Sequence, residues 1–140
     1  MYSFFSGLIG ALAAVMILLN GALAGRIGNA ASNAVVHLTG LILITLTLLV
    51  TRAKSPFQQT VPPALLSGGA LGFLTVLCAN AGFLRLGVSL TLALGLLGQS
   101  AAALAIDQYG WLGAPAVAFD WRKLGCLALV AAGIGVMAWL

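Results

Sequence analysis

Five stretches of this chain run without a formal charge, each long enough to matter: residues 1–25, 27–51, 55–84, 86–106 and 124–140. A bilayer's hydrocarbon core is about 30 Å thick and takes about 20 apolar residues in a helix to cross. Lipid offers the backbone no hydrogen-bond partner, so a run of that length crosses as a helix, and no strict apolar/polar alternation argues for strands. A soluble domain of 140 residues needs a polar coat, which six Lys/Arg and two Asp cannot supply. The mean hydropathy of +1.16 agrees. The expectation is an all-α integral membrane protein, a single domain over residues 1–140.

The charges place the spans. Span 1 is expected at 4–24, followed by the turn "GRIGN", and span 2 at 31–51, followed by "RAKSPFQQT". Span 3 is expected at 62–84, opening on "VPP", where proline suits a first helical turn. Arg85 and Gly87 make a tight turn into span 4 at 86–106, and "DQYGWLGAPAVAFDWRK" leads to span 5 at 124–140. Span 1 has no basic leader ahead of it and no cleavage site, and reads as a retained span. Tyr109, Trp111, Trp121 and Trp139 suit the membrane interfaces. Five spans put the termini on opposite sides. The N-terminal side receives Arg52, Lys54, Arg122 and Lys123, and the other side receives Arg26 and Arg85. Four against two favours a cytoplasmic N-terminus, by a bias small enough to permit dual topology.

Several function classes drop out. The net charge of +4 is scattered as singles and pairs between apolar runs, so no nucleic-acid partner is expected. Cys78 and Cys126 lie in apolar runs and behave as small hydrophobes. No acid/base pair, activated nucleophile or ligand cluster is in sight, so neither an enzyme nor a cofactor or metal is expected.

The polar residues within the spans are few, and they carry the functional reading. Asn20 lies late in span 1, His37 early in span 2 and Asn80 late in span 3. Because the spans alternate in direction, all three fall roughly 6–10 Å from the midplane toward the same side. Asn33 stands one turn before His37. Gln99 lies roughly 4–5 Å from the midplane on the other side, between glycines that permit close approach, Gly95 and Gly98. Asn20, His37, Asn80 and Gln99 are the candidate substrate contacts. The plainer reading is that they hydrogen-bond across helices, at about 1 kcal/mol each. Asp107 ends span 4, where the helix dipole disfavours an acid. It reads as an anchor for the following connection or a gate, and no span interior holds a carboxylate to drive cation exchange.

Small residues recur at helical spacing. Span 3 carries Gly68, Gly72, Thr75, Ala79 and Gly82; span 4 carries Thr91, Gly95, Gly98 and Ala102. Such stripes let helices approach closely, within one chain or at a dimer seam.

"LLNGALAGRIGNAASNAVVHLTG", followed downstream by "GLLGQSAAALAIDQYGWLG", resembles the small YdcZ-type inner-membrane exporters of the drug/metabolite transporter superfamily. The most specific part is the block from Gly98–Gln99 to Ile106–Trp111. The resemblance implies half of an EamA-like inverted-repeat transporter, located in the bacterial inner membrane and active as an antiparallel dimer. The four-span small multidrug exporters share this architecture but depend on a glutamate in their first span, which this chain lacks. Five short helices can hardly enclose a midplane site and two gates, and inverted repeats solve this by pairing two halves. The expected activity is secondary transport of a small polar or zwitterionic metabolite by a homodimer, or by a heterodimer with a paralogue of opposite topology. A passive pore at a dimer interface and a non-transporting membrane subunit are the alternatives.

Overall fold

The computed structural model describes residues 2–52, 62–111, 115–116 and 121–139. Lys54, Asp120 and most of the two long connections lie outside the described residues, as do the side chains of Arg122 and Lys123. The described elements are helical: α1 (Tyr2–Ile27), α2 (Asn29–Thr51), a 3-10 turn (Pro63–Ser67), α3 (Gly68–Tyr109) and α4 (Trp121–Trp139). The chain forms two compact units, Met1–Arg85 and Leu86–Leu140.

Three helical stretches are long and apolar enough to cross a membrane: Ser3–Ile27, Asn29–Thr51 and Leu65–Tyr109. Leu124–Trp139 is shorter. The termini of these elements follow from local chemistry. A single residue, Gly28, separates α1 from α2 at φ 88°, a conformation that costs a side-chain-bearing residue strain. Its N–H donates to the Ala24 carbonyl at 2.9 Å, and its own carbonyl accepts from the Ser32 N–H at 3.0 Å. Arg52 closes α2 in the left-handed region, φ 47°. Pro63 opens the 3-10 turn, where its missing N–H is not needed.

α3 has 42 residues. A helix that long would measure about 63 Å, roughly twice the bilayer core. It is interrupted at Gly87, φ 75° and ψ −178°, beside the boundary between the two units. The sequence places a turn between spans 3 and 4 at this glycine, and the backbone departs from helical geometry there.

Polarity is inverted relative to a soluble protein. Val50 is 83% exposed and Leu49 69%, whereas the largest fully buried side chains are Asn33, Asn80 and Ser32. Lipid tails accept the apolar exterior at no cost, so the interior is where polar groups gather. Exposed hydroxyls on α2 are satisfied by their own helix: Thr45 donates to the Leu41 carbonyl at 2.7 Å, Thr47 to Leu43 at 2.8 Å and Thr51 to Thr47 at 2.7 Å.

Within the first unit, α1 approaches α3 at Gly21, where a Cβ would overlap the Phe83 ring. One turn on, a Cβ at Gly25 would touch Leu84 at 3.5 Å. The glycines expected to pack, Gly68, Gly72, Gly95 and Gly98, have no described atom within 4 Å of a Cβ position, and Gly82 is half-buried. Gly21→Val is expected to force α1 from α3 and destabilise the protein by about 1–3 kcal/mol. Thermal unfolding in detergent checks this: the variant should melt several degrees lower, while Gly10→Val, at an open position, should melt like the parent. Equal melting of all three would contradict the packing described.

Candidate functional site

The first unit holds a polar seam where the start of α2 meets α3. Asn29, Ser32 and Asn33 recur at i, i+3 and i+4, so they share one helix face. The Asn29 Nδ2 donates to the Leu77 carbonyl at 3.0 Å, and the Asn33 Nδ2 to the Phe73 carbonyl at 2.9 Å. Ser32 faces α1, its hydroxyl donating to the Asn20 carbonyl at 3.0 Å. Three helices are thereby joined by side chains of one turn.

These bonds fix the amide orientations. A carbonyl only accepts, so the nitrogen of each amide must face it. The oxygens Asn29 Oδ1 and Asn33 Oδ1 then point elsewhere, and both are closed from solvent without a hydrogen-bond partner among the described residues. Asn80 follows one turn after Leu77 on α3, with Phe83 and its contact at Gly21 one turn further on. It is 1% exposed, and neither Nδ2 nor Oδ1 has a partner among the described residues. Each such atom costs about 1–3 kcal/mol in a folded chain. Four in one small unit is a concentration that packing alone does not explain.

His37 stands at the exposed rim of this seam. Its ring lies 5.8 Å from that of Phe73, tilted by 56°. Its Nδ1 is 2.9 Å from the Asn33 carbonyl, which only accepts, so Nδ1 is the donor of that bond. Of the expected contacts in this unit, Asn80 is buried, Asn20 is half-buried and engaged through its carbonyl, and His37 borders the seam. Asn29 and Ser32 were not among the expected contacts. Asn29 ends "GRIGN" and Ser32 follows it closely, so both read as turn residues, and only their i, i+3, i+4 relation to Asn33 marks them.

The second unit is organised differently. Ser100, Ala103, Leu104 and Asp107 of α3 face Cys126, Leu127 and Val130 of α4 across an open groove of about 460 Å³. Asp107 is half-buried on this face, at the end of α3, whereas Gln99 is exposed. Beyond Asp107, the Tyr109 and Trp111 rings stack at 5.3 Å. Among the described residues, no three His, Cys, Asp or Glu side chains gather in a way that could hold a metal ion.

The geometry describes an apolar, lipid-compatible chain with a small polar interior. A family model described as "Putative inner membrane exporter, YdcZ" matches residues 1–136. No curated protein and no solved structure matches the chain. A match over nearly every residue, on a chain with three helices long and apolar enough to cross a membrane, means that this protein belongs to the YdcZ family of inner-membrane exporters.

Proposed function

We propose that the protein is a secondary transporter that exports a small polar or zwitterionic metabolite, working as an antiparallel dimer. The observation that carries this reading is Asn80, a fully buried amide with both polar atoms unpartnered inside a membrane helix. A side chain kept solely as interhelical glue would make its bonds within the chain. In this reading Asn20, His37, Asn80 and Gln99 are substrate contacts.

The proposal takes the chain to cross the membrane five times. The interruption at Gly87 allows the 42 residues of α3 to serve as two crossings, which leaves the termini on opposite sides. The open glycine faces at Gly68, Gly72, Gly95 and Gly98 are surfaces on which a second copy, or a paralogue of opposite topology, could pack closely. The N-terminus is cytoplasmic in the more positive-inside copy. Asp107 anchors or gates the connection after α3 and does not power transport.

Two measurements test the proposal. Proteoliposomes loaded with a defined mixture of bilayer-impermeant metabolites should release a subset, detected by mass spectrometry. Asn80→Ala and His37→Ala should each slow that release at least tenfold, and full release by both variants would remove the site assignment. Single cysteines near each terminus, with Cys78 and Cys126 replaced, should label from both sides of intact cells. Labelling of each terminus from one side only would rule out the antiparallel homodimer.

A further inference from the structure

The asparagine seam of the first unit also carries a statement about what it binds, resting on the transport reading above. Its polarity is unequal. Asn29 Oδ1 and Asn33 Oδ1 are acceptors held in place by the bonds of their own Nδ2 groups to Leu77 and Phe73. Asn80 adds one acceptor and one two-proton donor, both unused. A complementary group must therefore supply several N–H or O–H donors and one acceptor.

Charge narrows the choice. Residues 1–85 contain no Asp or Glu, and they contain Arg26, Arg52, Lys54 and Arg85. A buried cation would meet amide dipoles but no counter-charge from this unit, and an unpaired ion in a low-dielectric interior is strongly disfavoured. A carboxylate would meet three amide oxygens and a single donor group. A carboxamide carries no charge and supplies two of the donors together with the acceptor. Its carbonyl accepts from Asn80 Nδ2, one N–H donates to Asn80 Oδ1, and the other donates to an oxygen of Asn29 or Asn33.

We propose that Asn29, Asn33 and Asn80 form a recognition site for an uncharged carboxamide group on the transported solute. Asn29 and Asn33 thereby join the substrate contacts, and the seam discriminates against ammonium and carboxylate groups.

The test uses three fragments of one size: acetamide, methylammonium chloride and sodium acetate. Each is added to the purified full-length protein in detergent while thermal unfolding is followed. Acetamide at ten times its Kd should raise the melting temperature by roughly 4 °C. It should raise neither Asn80→Leu nor Asn33→Leu, provided each variant still melts cooperatively. Asn80→Asp, which keeps the shape, loses no bond that the described residues make and adds a charge, should exchange the acetamide response for a methylammonium response and supplies a second variant should the leucine forms not fold. A methylammonium response in the parent protein would overturn the proposal in favour of a cation site. No response to any fragment would overturn it in favour of a purely structural seam. Asn80-dependent efflux without an acetamide response would sink the carboxamide assignment and leave the transport reading standing, whereas an acetamide response without efflux would do the reverse.

Discussion

A bilayer interior supplies no hydrogen bonds, and every feature of this chain answers to that. Backbone groups close on themselves in helices, exposed threonine hydroxyls bend back to carbonyls one turn earlier, and polar amides turn inward. The lipid-facing surface is left to leucine, isoleucine and valine. Helix association then cannot depend on apolar burial, because a leucine gains little by leaving lipid for protein. What joins α1, α2 and the first part of α3 is a set of directional bonds from Asn29, Ser32 and Asn33, together with the close approach at Gly21.

That solution is incomplete in one place. The seam satisfies one side of Asn29 and Asn33 and neither side of Asn80. A chain built for stability alone would do better with leucine at residue 80, since apolar groups of similar size leave no orphaned donors or acceptors. In the proposed reading, the amide there serves a ligand and not the isolated fold. In an exporter, a solute that completes the bonds in passing is the natural candidate, and incomplete satisfaction keeps it from being held too tightly.

Much of this architecture was legible in the sequence because charge is so scarce. The runs between Arg26, Arg52, Arg85 and Asp107 predict helix limits that fall within a few residues of α1 and α2, and Gly87 marks the interruption in α3. Family membership was legible from the blocks around His37 and Gln99. The seam itself was read only in part. Asn80 stands out as a lone amide in an apolar run, but Asn29 and Ser32 sit beside Gly28, and composition alone cannot tell a turn that ends one helix from a first turn that begins the next. Glycine spacing carries a different kind of information. A GxxxG pair reports a surface able to pack, whereas the close contact is made at Gly21, where a bulky partner, Phe83, happens to stand opposite.

The central claim is that Asn80 is kept for a ligand at some expense to the fold. The most direct test is the unfolding free energy of Asn80→Leu in a bilayer-mimicking detergent, without added solute, against the parent protein. The account predicts a variant at least as stable as the parent, since removing two unpartnered buried polar atoms offsets any loss of fit. A variant destabilised by about 2 kcal/mol or more, the scale of a lost buried hydrogen-bonding group, would contradict it and make Asn80 a structural element of the helix bundle.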